Sequence, residues 1–191
     1  MGLSVEALLG GSVESVAAGI PAHPSQQKET HATRHVERGV PLWAAKHAGP
    51  TWRVERGIVA LFQPDDGRLS TAERFVMLAY GGDLIGVEAQ LSGTYAFDAV
   101  ALTHSVLTSW SAAPLLPTHY LRQAERAHEG ALLRSGSALA RLQRLRRLLD
   151  RVAPGAPWPR LRDIAAITGL QVETVSRLLS RERGRIVASC S

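Results

Sequence analysis

Residues 161–180 read Leu161-Arg-Asp-Ile-Ala-Ala-Ile-Thr-Gly169-Leu-Gln-Val-Glu-Thr-Val-Ser-Arg-Leu-Leu-Ser180. Two short helical patterns flank one glycine. Two helices that cross steeply through a tight turn make a helix-turn-helix. The crossing needs a small residue in the first helix, and Ala165 stands there. The turn needs a residue that accepts positive φ, which Gly169 supplies. The packing face needs apolar groups at set offsets from that glycine, and Ile164, Leu170, Val175 and Leu178 occupy them. An ordinary helical hairpin, the plainer alternative, does not require these six residue types together.

The second helix is expected to start near Gln171 and to run to about Arg181. Its exposed face would carry Gln171, Glu173, Thr174, Ser176 and Arg177. Glu173 and Arg177 are four apart and share one face. A Glu accepts from cytosine N4, and an Arg is bidentate to guanine O6 and N7. The competing role is an i,i+4 surface ion pair worth about 0.2–0.5 kcal/mol.

Upstream, residues 117–153 keep a helical period. Leu121, Ala124, His128, Ala131 and Leu132 recur every three or four positions, then Ala138, Leu142, Leu145, Leu149 and Val152. Pro117 suits a first helical turn, and Ser137 after Ser135-Gly136 reads as the N-cap of a second helix. Further upstream, residues 34–110 alternate short apolar runs with glycine turns. Strands are expected at Val40–Trp43, Trp52–Val54, Ile58–Phe62, Phe75–Leu78, Tyr95–Leu102 and Val106–Trp110, a spacing that suggests a roll or barrel. Residues 1–30 read as a weak tail, with short helical turns at Ser4–Leu9 and Val13–Ala18, and receive no function.

Charge is uneven. Residues 1–116 carry 8 Lys/Arg against 11 acids, whereas residues 117–191 carry 14 Arg, no Lys and 6 acids. Such asymmetry points to a polyanion partner for the C-terminal half. The lone cysteine, Cys190, excludes an internal disulfide, a cysteine-based zinc site and an iron–sulfur cluster on this chain. The first 27 residues hold no Lys or Arg, and no apolar run reaches the roughly 20 residues of a membrane span. The expectation is a soluble cytoplasmic protein with no membrane contact.

Residues 169–181, with Val172-Glu173-Thr174 followed by Ser176-Arg177, resemble the recognition segment of Crp/Fnr transcription regulators, closest to the Fnr branch. Glu37-Arg38-Gly39 before Pro41-Leu42-Trp43 looks like the family's opening β-roll strand. Trp52 to Phe62 is similar to its central aromatic–glycine strand pair. Gly82-Asp83-Leu84-Ile85-Gly86 matches the glycine-rich turn of its effector cassette. The resemblance covers residues 34–187. It implies an α+β fold: an N-terminal cupin-like β-roll of the cyclic-nucleotide-binding kind, a long dimerisation helix, and a C-terminal winged helix-turn-helix with a short or truncated wing. The expected division is a tail at 1–30, a sensor-like β-roll at 31–116, a dimerisation helix at 117–135 and a DNA-binding domain at 136–191.

The function implied is a dimeric, sequence-specific regulator on double-stranded DNA, with no catalytic residues. Val172, Glu173, Ser176 and Arg177 would face bases, with Arg160, Arg162, Gln171, Thr174 and Arg181 on phosphates. Gly82, Asp83, Gly86, Glu88 and Thr94 are the effector-pocket candidates. No Arg lies between Arg74 and Arg122. An uncompensated buried phosphate is costly, so cyclic AMP is not the expected effector, and no cofactor or metal is assigned. RNA polymerase is a candidate partner, although the short Pro154–Trp158 connection leaves little for the hairpin with which the family touches it. Two alternatives stand beside this one. One is a small-molecule-binding cupin-type protein whose head contacts other proteins. The other is a cupin metalloenzyme, disfavoured because residues 34–110 hold only His35, His47 and His104.

Overall fold

The computed structural model describes residues 32–67, 70, 73–110 and 116–189, with side chains described to Arg181. The helical turns expected in the tail lie outside these residues. Eight strands form two antiparallel sheets: β1 (Thr33–Val36), β2 (Pro41–Trp43), β3 (Thr51–Arg56), β4 (Ile58–Phe62), β5 (Phe75–Tyr80), β6 (Leu84–Ile85), β7 (Asp98–Ala101) and β8 (Ser105–Trp110). One sheet has the order β1-β8-β3-β6 and the other β2-β7-β4-β5. A short helix, α1 (Ala89–Ser92), precedes β7. Four helices follow: α2 (Pro117–Leu133), α3 (Ala138–Val152), α4 (Leu161–Thr168) and α5 (Val172–Ser189).

β4 explains how the parts fit together. Its run Ile-Val-Ala-Leu-Phe has no polar alternation because both faces are covered, and all five residues are buried. Val59 and Leu61 enter the space between the sheets with Val36, Leu42, Val54, Ile85, Ala99 and Leu107. Ile58, Ala60 and Phe62 face the other way and join Phe75, Leu78 and Tyr80 under the helices. The same cluster takes in Leu133 of α2, Leu142, Leu145, Leu148 and Leu149 of α3, Ile164 and Ile167 of α4, and Val175 and Leu179 of α5. The β-roll and the helical head therefore share one core.

Local signals place the helix ends. Ser137 Oγ accepts from Ala140 N and caps α3, and Pro117 opens α2. Among the described residues no helix is long and apolar enough to cross a membrane.

Several expectations need correction. β1 and β6 are strands that the sequence pattern did not reveal, and Glu37–Gly39 forms the turn between β1 and β2. The strand expected from Tyr95 starts at Asp98. α2 ends at Leu133 rather than at residue 135. The wing is the main change: α5 continues unbroken to Ser189, where a short or truncated wing was expected. A single interior Gly such as Gly184 costs a helix only about 1 kcal/mol, too little to end one whose neighbours continue it. Leu179 also turns inward more than Leu178, being 7% exposed.

Candidate nucleic-acid interface

The helix-turn-helix is built as its residue pattern requires. Ile164, Ala165 and Ile167 are buried. Gly169 sits at φ 65°, ψ 32° and its N–H donates to Ala165 O. Leu170 N donates to the same carbonyl at 3.0 Å, so the end of α4 is satisfied. Arg141 of α3 reaches across to donate to Thr168 O at 3.1 Å, and the Arg134 guanidinium lies beside Gly169. The turn is thus held from two other helices. Asp163, in the first turn of α4, is largely buried, and desolvation raises its pKa against the opposing pull of Arg162 and Arg160.

Packing α5 through Val175 and Leu179 turns a different face outward. Gln171, Val172, Glu173, Arg177 and Arg181 are exposed, with Thr174 and Ser176 half-buried between them. Glu173 and Arg177 do not pair with each other; Arg177 Nη2 instead lies 3.5 Å from Thr174 Oγ1. Glu173 occupies the first turn, where the helix dipole favours a carboxylate. Arg162 is two-thirds exposed, 3.6 Å from Asp163. Arg160 is placed differently from the other candidates. Its guanidinium lies against Gly39 in the β1–β2 turn, beside a 2.7 Å hydrogen bond from Arg38 to Trp158 O. That residue joins head to roll.

The effector-pocket candidates lie together around the β5–β6 turn and α1, each with an internal partner. Gly82, at φ 88°, has the Arg122 guanidinium against it. Asp83 is 4% exposed; its Oδ2 accepts from Tyr80 N at 2.9 Å and from Arg126 Nε at 2.7 Å. Gly86 packs on the Tyr95 ring. Glu88 Oε1 accepts from Ala96 N, and Thr94 O accepts from Ser92 Oγ. Between Asp83, Leu84 and the α2 side chains His119, Arg122, Gln123 and Arg126 lies a cavity of about 10 Å³, space for roughly one water. Tyr95 stacks on Trp43 at 4.2 Å. Its hydroxyl donates to Pro50 O and accepts from Trp52 Nε1.

Sequence reading missed a polar relay. Arg126 lies 3.7 Å over the Tyr80 ring. Tyr80 donates to Glu129 at 2.6 Å, and Arg151 of α3 binds Glu129 at 2.6 Å. Burial first, then the bond to Glu129, pushes the Tyr80 hydroxyl up to about 12. Arg122, Arg126 and Glu129 fall at helical spacing on the side of α2 away from Leu121, which was the available signal. Their partners Tyr80 and Asp83 lie on the roll, distant in sequence, so no local pattern could name them. Among the described residues no group of three or more His, Cys, Asp or Glu is placed to hold a metal ion.

No family model matches the chain, and no curated protein matches it. Solved structures do. A CRP-family transcriptional regulator from Thermus thermophilus superposes with a TM-score of 0.64 at 24% identity, over 80% of this chain and 85% of that one. The fold is that of CRP/FNR-type regulators. A second regulator from the same organism, of the CRP/FNR family, gives 0.60 at 20% identity over 79% and 87%. FixK2 from Bradyrhizobium japonicum gives 0.55 at 20% identity over 81% and 85%.

The Asp83–Arg126 pair joins the glycine-rich turn of this fold to α2, and both side chains are nearly out of water. Removing Arg126 alone strands a buried carboxylate. Arg126→Ala is expected to lower unfolding free energy in urea by about 3–5 kcal/mol. The double variant Asp83→Asn/Arg126→Met should cost clearly less. A loss under about 1 kcal/mol, the range of an exposed pair, would contradict the buried-pair assignment.

Proposed function

We propose that this protein is a homodimeric transcription regulator that binds double-stranded DNA sequence-specifically through α5. The observation that carries this is the outward face of α5. Glu173 and Arg177 stand unpaired with each other on the second helix of a helix-turn-helix, beside exposed Val172. In such motifs the N-terminal residues of the second helix meet base edges in the major groove. The pair suits the two sides of a G·C base pair, and Val172 suits a thymine methyl. The resemblance to the Fnr branch implies a half-site like TTGAT. Gln171, Thr174, Ser176, Arg162 and Arg181 surround this face as further base or phosphate contacts.

One recognition helix reads few bases, so a two-fold pair is required for useful specificity. α2 offers the seam. One side of α2 packs on the roll through Gly130 and Leu133. The other leaves Tyr120 59%, Leu121 65% and Leu132 44% exposed, with Ala124, His128 and Ala131 along the same stripe. A second copy of α2 would cover this surface isologously. RNA polymerase is the further partner we propose, in a cytoplasmic setting and without catalysis.

Arg177→Ala should weaken binding to the matched duplex by about 1–3 kcal/mol and relax preference at the guanine. Equal weakening on matched and scrambled duplexes would make Arg177 a phosphate contact instead.

Cyclic AMP is not the proposed effector. No Arg lies between Arg74 and Arg122 to hold a phosphate. Any ligand of the native state raises apparent stability. Millimolar cyclic AMP should therefore leave the melting temperature unchanged, and a clear upward shift would contradict this.

A further inference from the structure

Head and roll do not close completely on each other. Beside the apolar cluster that joins them, and sharing Tyr80 and Val152 with it, lies a cleft of about 790 Å³. Small-molecule sites span roughly 300–1,000 Å³. The roll side of the cleft is made by two turns, residues 55–57 between β3 and β4 and residues 103–104 between β7 and β8. The head side is the last turn of α3 and the loop 153–157. None of the effector-pocket candidates at the glycine-rich turn lines it.

Both walls are fixed. Ile58 N donates to Thr103 Oγ1 at 2.9 Å, and Leu102 N donates to Ile58 O at 2.8 Å. Gly57, at φ 86°, leaves no room for a side chain against His104 O, so the turns that carry Arg56 and His104 are in contact. Opposite them, Ala156 N donates to Ala153 O at 3.0 Å. Arg38 of the roll holds Trp158 O, just past the loop, at 2.7 Å. The cleft is therefore preformed, and a ligand entering it orders little that is not already ordered.

Charge decides what fits. Arg56 is exposed and makes no ion pair or side-chain hydrogen bond among the described residues. The acid beside it, Glu55, is drawn to Arg53 at 3.6 Å. His104, on the adjoining turn, is exposed as well. On the head side, Arg151 is committed to Glu129 and Tyr80, and the carbonyl end of α3 carries partial negative charge. The place for an anion is thus the roll side. Val152, Pro154 and Pro157 offer apolar surface across from it, and the two prolines have no N–H to satisfy. We propose that this cleft is a ligand site for a small organic anion, with its charged group on Arg56 and His104 and its apolar body on Val152, Pro154 and Pro157. The site does not depend on the DNA-binding reading above.

The plainer role for such a cleft is water-filled space between two packed parts. Isothermal titration calorimetry and thermal melting of the full chain separate the two. The probe is phenyl phosphate; benzyl alcohol lacks its charge and inorganic phosphate lacks its apolar body. Phenyl phosphate should bind saturably, at one site per chain, and raise the melting temperature. Arg56→Gln/His104→Gln, which changes only exposed side chains, should weaken that binding about tenfold or more, as expected for lost hydrogen bonds to a charged group. Arg147→Gln, at an exposed arginine outside the cleft, should leave it unchanged. Absence of saturable binding by phenyl phosphate overturns the proposal. So does undiminished binding to the double variant, which would place the ligand elsewhere, or an equal loss in Arg147→Gln, which would mean diffuse attraction to surface charge. Inorganic phosphate or benzyl alcohol binding as tightly as phenyl phosphate would also overturn it, since the site would then not take an organic anion as such.

Discussion

The outer face of β4 has to be covered. Ile58, Ala60 and Phe62 point away from the interior of the roll, and a sheet with apolar groups on both sides cannot leave one side in water. α2, α3 and α4 supply the cover, and α5 is held through Val175 and Leu179 in the same cluster. This shared apolar cluster joins head to roll. The orientation of α5 is therefore set by α3 and α4, on which it packs. α2 is fixed by the same contact, and its apolar stripe stays exposed.

Polar contacts refine what the core imposes. Arg144 donates to Leu132 O and Ser135 O at the end of α2. Arg141 does the same for Gly136 and Thr168. Arg126 and Arg151 enclose Glu129 and Tyr80, and Arg160 rests on Gly39. The arginine excess of the C-terminal half thus serves two ends. Several guanidiniums cap helix carbonyls and bind buried carboxylates, where a fixed fork of donors suits the task better than an ammonium. Arg162, Arg177 and Arg181 remain exposed toward solvent. Overall charge overstated how much of the arginine excess is free to meet any polyanion.

Features set by local chemistry were legible. Gly169 needs positive φ wherever it occurs, and Ile58–Phe62 is apolar throughout because it is covered on both faces. Features set by distant partners were not legible. Leu84–Ile85 is too short to show a period. Tyr95 looks like the start of a strand, yet its ring serves as packing for Gly86 and Trp43. Gly184 and the expectation of a wing hid the length of α5, although Arg181 and Arg185 continue its spacing. Among the site residues, the face from Gln171 to Arg177 followed from periodicity alone. The use of Arg160 at the head–roll joint depends on the β1–β2 turn, far earlier in the chain.

In the proposed function two copies of the chain present α5 to one duplex. Selection of bound sequences from random double-stranded DNA tests it most directly. The expected product is an inverted repeat with one invariant G·C pair in each half-site, the halves centred one helical turn, about 10 base pairs, apart. Enrichment of a single half-site without a symmetric mate, or no enrichment over the starting pool, would contradict it.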